Sequence, residues 1–312
     1  MIKNLILTLS ILILYGCNDM NSNIPPKPKK IPHELKAHGD TRIDNYYWMR
    51  DDSRSDPELI AYLETENEYF KNWRNSRVDY QGEIFNELKS MIPNEEETLR
   101  VKDGNYFYYS RIKADQQYST YFRHQSTEEV LLDANKEAEG KEFYSVAGLN
   151  VSPNEELLLY GEDLNGRREY TLRVKDIKNN KMLSDEIVKV SPSSVWSNDS
   201  QYILYAKKDE DTLIQNQVYL HKLGTDQSED KLIYKEDDNE FNIWLSESRT
   251  KKYIYIYIEK TNSSEVWLMD KSDPLKPLEL VLKRSDNHLY SIEDGGDYFY
   301  ACLLYTSDAA DE

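Results

Sequence analysis

Ser152-Pro153-Asn154 opens a polar turn that runs into Leu157-Leu158-Leu159-Tyr160, and the same pattern then returns along the chain. Ser197-Asn198-Asp199 leads to Tyr202-Ile203-Leu204-Tyr205. Ser246-Glu247-Ser248 leads to Tyr253-Ile254-Tyr255-Ile256, and Ser291-Ile292-Glu293 to Tyr298-Phe299-Tyr300. Successive units begin about 45 to 50 residues apart, the length of one four-stranded repeat in a radial β architecture. Within a unit the order is polar turn, apolar strand, charged loop and second strand, as in Glu265-Val266-Trp267-Leu268. A β-sandwich has strands this short but no such interval. A single sheet of this kind buries its two faces only against neighbouring copies of itself, so the repeat predicts a β-propeller.

Outward from the repeats, Leu99-Arg100-Val101 and Tyr106-Phe107-Tyr108-Tyr109 flank Asp103-Gly104 and predict an opening hairpin. With the four units that follow, this makes five blades' worth of chain over residues 94–302. The 25 tyrosines against 11 glycines fit half-buried, pleated strands. Upstream, Asp56-Pro57-Glu58 is a helix start: the aspartate accepts free amide groups, proline fits the first turn, and glutamate suits the positive end. Leu59, Ile60, Leu63, Phe70 and Trp73 then recur at helical spacing. A second helix is predicted near Asp79 to Met91, with Ile84, Phe85 and Leu88 on one face and Pro93 ending it. Residues 31–93 are therefore expected to form a helical N-terminal region.

The first 16 residues have the form of a signal peptide: Lys3 gives a positive start, and Leu5 to Leu14 is apolar but too short to span a bilayer. Leu14-Tyr15-Gly16-Cys17 resembles a bacterial lipobox, so Cys17 is expected to carry lipid and to anchor the chain to a bacterial membrane. Each buried CH₂ of such an anchor contributes about 0.8 kcal/mol. Residues 17–30, ending in Pro25-Pro26-Lys27-Pro28-Lys29-Lys30, are expected to be an extended tether. The expected location is the cell envelope, facing periplasm or exterior. At the other end, residues 303–312 lose the repeat pattern and are expected to be an artefactual tail, a translated sequencing adapter or the product of a frame break, joined near Cys302.

The chain of 312 residues carries 57 acidic and 39 basic side chains, a net charge of −18, which disfavours nucleic-acid partners. The acidic runs Glu95-Glu96-Glu97, Asp209-Glu210-Asp211 and Glu236-Asp237-Asp238 are expected to be solvated loops. Cys17 and Cys302 form no zinc or disulfide framework, and His33, His38, His124, His221 and His288 sit in no metal-binding pattern, so no metal or other cofactor is expected.

His38-Gly39-Asp40-Thr41-Arg42-Ile43-Asp44-Asn45-Tyr46-Tyr47-Trp48-Met49-Arg50-Asp51-Asp52, continuing through Asp56 to Asn67, resembles the N-terminal signature of the prolyl oligopeptidase family of serine peptidases, and within it the oligopeptidase B (protease II) branch. Gln117 to Tyr121, Glu129 to Asp133, Val151 to Asn154, Arg167 to Arg173 and Leu223-Gly224-Thr225-Asp226 with Asp230 are similar to that branch in the same order. The resemblance runs from about Ile31 to Tyr300. It implies an incomplete seven-bladed propeller, the rest of the protein being an α/β-hydrolase domain whose serine, aspartate and histidine lie beyond residue 312. No Gly-x-Ser-x-Gly occurs in the 312 residues. The resemblance therefore nominates no catalytic and no substrate-binding residue here, and it gives the His38–Asp52 signature a structural, pinning role. It implies cleavage of short peptides after Arg or Lys, with the propeller gating access and this segment inactive alone. The alternative is a membrane-anchored propeller lipoprotein that binds peptides or partner proteins.

Overall fold

A computed structural model describes residues 24–75 and 77–305. The expected signal peptide, Cys17 and most of the tether lie outside the described residues, as does the tail from Thr306 onward. The chain divides into two compact units, Met1–Pro93 and Asn94–Glu312.

The first unit opens with an antiparallel hairpin, β1 (His33–Ala37) and β2 (Asp40–Asp44), within the region expected from sequence to be helical. The deciding residues are His38 and Gly39, at φ 52° and 80°, the left-handed pair that a two-residue turn requires and that helical spacing does not register. A single 3-10 turn, Tyr47–Met49, follows, then α1 (Pro57–Asn75) and α2 (Val78–Met91). Asp56 caps α1 as its position implies, its carboxylate accepting from Glu58 N at 2.8 Å. The signature residues hold this unit together locally. His33 stacks on Tyr47 at 4.0 Å, and Trp48 Nε1 donates to the Lys29 carbonyl at 3.0 Å. The Lys29 ammonium lies over the Trp48 ring and pairs with Glu58. Asp51 accepts from the Ser53 hydroxyl and from the amides of Ser53, Ser55 and Asp56. Those donors, the Ser53 hydroxyl first, lower its pKa to about 2.

The second unit is β. Its first sheet contains β3 (Glu96–Glu97), β4 (Val101–Asp103), β5 (Tyr106–Ile112), β6 (Thr120–His124) and β7 (Glu128–Asp133), followed by a short helix, α3 (Ala134–Glu137). The second sheet is β8 (Ser145–Val151), β9 (Leu157–Asp163), β10 (Tyr170–Asp176) and β11 (Lys181–Val190). The third is β12 (Ser194–Trp196), β13 (Tyr202–Lys208), β14 (Gln215–Lys222) and β15 (Lys231–Lys235). The fourth has β16 (Asn242–Glu247), β17 (Tyr253–Lys260), β18 (Ser263–Asp270) and β19 (Glu279–Leu282), and to it are joined β20 (His288–Asp294) and β21 (Phe299–Tyr305). Neighbours within the four sheets are antiparallel except for one parallel pairing, Ser263 with His288, which attaches the β20–β21 hairpin to β18.

Where five blades' worth of chain is expected, the sheets form four blades, and the last repeat unit contributes this hairpin. The Lys251–Asp103 ion pair brings the fourth sheet to the first, which closes the four into a ring.

One turn recurs in the second, third and fourth sheets. A serine hydroxyl accepts the amide five residues on, Ser152 from Leu157 (3.0 Å), Ser197 from Tyr202 (2.9 Å) and Ser248 from Tyr253 (3.1 Å). The serine's own amide donates back to the same residue at 2.9 Å each time. Three residues after each serine stands a left-handed residue, Glu155, Ser200 or Lys251, at φ 62°, 58° and 59°. In the third unit Ser248, not Ser246, begins the turn, because Ser246 and Glu247 still belong to β16. In the fourth, Ser291-Ile292-Glu293 lies inside β20: the alternation that buries Ile292 and exposes Ser291 and Glu293 is a strand pattern, and the turn falls at Gly295 and Gly296 instead. The ladder of β20 with β21 continues through Cys302 to Tyr305.

The turn serine at 197 is 1 % exposed, and its hydroxyl also donates to Asp199 Oδ1 at 2.5 Å. Ser197→Ala strands the Tyr202 amide in the interior and is expected to cost about 1–3 kcal/mol. In urea, the unfolding midpoint of the variant should fall with an unchanged slope; an unaltered midpoint would show that the turn is held by its backbone alone.

Candidate functional site

The first strands of the blades meet at the centre of the β unit. There a cavity of about 120 Å³ is lined by residues of all four sheets, among them Asp103, Asn150, Trp196, Glu247, Lys251 and Lys271. The turns just described deliver these side chains. Lys251 is the left-handed residue of the third such turn, and Glu155, its counterpart in the first, accepts from Asn105 N (2.7 Å) and Asn105 Nδ2 (2.8 Å) of the preceding sheet. Trp196 Nε1 donates to the Asn150 carbonyl at 3.2 Å, and Asn198 N to the Lys271 carbonyl at 2.9 Å, so the central strands are laced together across the sheets.

Charge at this centre is paired internally. Lys251 meets Asp103, and Lys271 meets Glu247. The Lys271 side chain is 3 % exposed, and burial pulls its pKa down to about 8 against the weaker opposing pull of Asp103. A volume of this size holds roughly four water molecules.

A second, larger groove of about 840 Å³ runs between the first and second sheets. Its walls are apolar, with Val101, Tyr108, Tyr121, Leu131, Leu149 and Val151 among them, and Glu96 and Glu97 stand at the rim. The volume is in the range of small-molecule and peptide pockets. Glu97 is not a free anion: Arg111 at 2.7 Å and Arg100 at 2.9 Å hold it, and those hydrogen bonds lower its pKa. The groove offers apolar contact.

The five histidines occupy separate structural positions. His33 stacks on Tyr47, His38 forms the first hairpin turn, His124 packs between Phe107 and Tyr109, and His288 lies beside Tyr290. His221 is buried between Asp185 and Asp230, an arrangement that no spacing in the sequence announces because Asp185 comes from the preceding sheet. Among the described residues no group of three or more His, Cys, Asp or Glu is placed to hold a metal ion. Nor is any described helix long and apolar enough to cross a membrane. Cys17 lies outside the described residues, and Cys302 is exposed. The acidic runs differ in their fate. Glu95 and Glu96 are exposed, whereas Glu236 is 7 % exposed and ion-paired with Arg284, which also holds Glu265.

The family described as "Prolyl oligopeptidase, N-terminal beta-propeller domain" matches residues 25–304. The chain belongs to the prolyl oligopeptidase family. It is 35 % identical over 296 residues to protease 2 of Moraxella lacunata, covering 91 % of this chain and 42 % of that protein. It is 33 % identical over 293 residues to dipeptidyl aminopeptidase BI of Pseudoxanthomonas mexicana, covering 86 % of this chain and 40 % of the relative. Its fold superposes on oligopeptidase B from Leishmania major with a TM-score of 0.82 at 28 % identity, over 88 % of this chain and 42 % of that structure. The chain thus spans about two fifths of the length of these relatives, and what it holds is the propeller part of a prolyl oligopeptidase family peptidase.

Proposed function

We propose that this chain is the front part of a serine peptidase of the oligopeptidase B type, which cleaves short peptides after Arg or Lys. Its propeller, seven-bladed when complete, gates the route to a catalytic α/β-hydrolase domain that follows. The observation that carries this reading is the likeness, in sequence and in fold together, to protease 2 and to the Leishmania oligopeptidase B over nearly the whole described chain. One feature of the structure supports it. The helices α1 and α2 bury none of their residues, and Leu63, Phe70, Phe85 and Leu88 are 49, 55, 61 and 57 % exposed. Apolar faces of that kind fit the remainder of the peptidase, against which the His38–Asp52 signature would help pin the N-terminal region.

In this reading the triad acts as in other serine peptidases: histidine takes the serine proton and aspartate orients the histidine. The propeller contributes selection by size, because only a flexible chain passes the narrow route. The full-length protein is expected to hydrolyse arginyl and lysyl amides of short peptides, to leave a folded protein of the same composition intact, and to show no turnover when residues 1–312 are expressed alone. Cleavage after proline in place of Arg and Lys would contradict the branch. Digestion of the folded protein would contradict the gate, and hydrolysis by the 312-residue chain would contradict the placement of the triad.

We propose also that Cys17 is lipidated after removal of residues 1–16 and tethers the peptidase to the bacterial envelope, as the apolar run Leu5 to Leu14 before Gly16-Cys17 supports. In membrane fractionation the unaltered protein should sediment with membranes and Cys17→Ala should move to the soluble fraction; equal sedimentation of both would contradict the anchor.

A further inference from the structure

His221 lies on β14, 1 % exposed, and each of its ring nitrogens faces a carboxylate. Nδ1 is 2.6 Å from Asp230 Oδ1, and Nε2 is 3.1 Å from Asp185 Oδ1. A neutral imidazole has one N–H and one lone pair, whereas the imidazolium has two N–H groups. Both carboxylates are already committed as acceptors. Asp185 Oδ1 also receives the Gly224 amide at 2.5 Å, and Asp230 Oδ2 receives the Tyr205 hydroxyl at 2.8 Å. A neutral ring would therefore set a lone pair against a buried carboxylate oxygen on one side or the other. Asp226, which caps the 3-10 turn Gln227–Glu229, adds a further negative charge near the ring. Burial pushes the imidazole pKa down, but the hydrogen bonds to Asp230 and Asp185 together with the charges of the two carboxylates oppose it, and the net direction is upward.

The two carboxylates come from different blades. Asp185 belongs to β11, the outer strand of the second sheet, and sits where the β10–β11 register shifts between the pairs Arg173–Glu186 and Lys175–Met182. Asp230 immediately precedes β15 of the third sheet. Beside them, Gln227 bonds both backbone groups of Val188, accepting from its amide at 3.0 Å and donating to its carbonyl at 3.1 Å. We propose that His221, protonated between Asp185 and Asp230, is a pH-sensitive clasp that holds β11 of one blade to the 223–230 loop of the next and releases it in alkaline solution. The Gln227 contact is the part of the joint that does not titrate.

The sign follows from the ring's two states. A histidine whose proton is held more tightly in the closed joint than in the opened one stabilises closure fully below its ordinary value of about 6.5. That stabilisation is lost as the pH rises through the closed-state value. In between, the opened fraction grows up to about tenfold per pH unit.

The test is hydrogen exchange of the amides of residues 183–188 and 223–228 in the whole chain from pH 6 to 9, corrected for intrinsic exchange, with 157–163 as an internal reference. A second readout is the titration of the His221 ring by NMR. The expected result is a pH-dependent opening confined to the two segments and a ring that titrates above 6.5. Asp185→Asn, which keeps an acceptor for Gly224 and removes one charge, should lower the ring's titration point and flatten the slope. It gives the answer even where His221→Gln fails to fold. A ring titrating at or below 6.5, or the same slope in Asp185→Asn as in the unaltered chain, would overturn the proposal.

Discussion

The β unit depends on strands that are apolar on both faces. Ile203, Leu204, Tyr205 and Ala206 are all at most 1 % exposed, so β13 has no side left for water. Side chains alternate across a strand, and the clusters follow that alternation. Ile203 and Tyr205 pack with Leu159, Leu172 and Ile187 of the second sheet, while Leu204 packs with Ile243, Ile254 and Ile256 of the fourth. The neighbouring blades repeat the division. Leu158 and Tyr160 face the first sheet and Leu159 faces the third; Ile254, Ile256 and Ile258 face the third sheet and Tyr255 faces the β20 hairpin. A sheet that is apolar on both faces needs cover on each, so the sheets stack face to face in series. Radial stacking brings the first strands to a common centre, and the central cavity is the result.

That same alternation explains how much of the architecture was legible in the residues. The runs Leu157 to Tyr160, Tyr202 to Tyr205 and Tyr253 to Ile256 are continuous apolar strands at a fixed interval, and the interval separates a propeller from a sandwich. The turn serines were legible too, since Ser-x-Asn and Ser-x-Asp before such a run carry the hydroxyl and side-chain acceptor that the turn uses. Where the turn lacks that acidic or amide partner the reading slipped: by two residues at Ser248, where Thr250 takes its place, and by more at Ser291, which is simply the exposed residue of an alternating strand. The blade number followed the same fault, because a repeat unit identified by one strand does not reveal whether its other strands are present. The β1–β2 hairpin was hidden because its turn, His38-Gly39, depends on two left-handed residues of which only the glycine is a sequence signal.

The site chemistry was less legible, for a different reason. Lys271 and Glu247 are 24 positions apart, and His221 and Asp185 are 36 apart on different blades. Each partner alone reads as an ordinary surface residue, and burial and pairing exist only once the blades stack. Leu223-Gly224-Thr225-Asp226 was recognisable as a pattern without its physical content, which is a loop that presents the Gly224 amide and Gln227 to the strand of the preceding blade. The lack of a Gly-x-Ser-x-Gly sequence in these 312 residues, by contrast, was plain from the residues.

The central claim is that these residues are the propeller-bearing front of a longer peptidase. Its most direct test is to sequence the native transcript from the codon of Tyr300 through and beyond that of Glu312. The account predicts an open frame that runs through further repeats of about 45 to 50 residues to a Gly-x-Ser-x-Gly elbow, with an aspartate and a histidine after it. A stop codon directly after Glu312 in that transcript would contradict it.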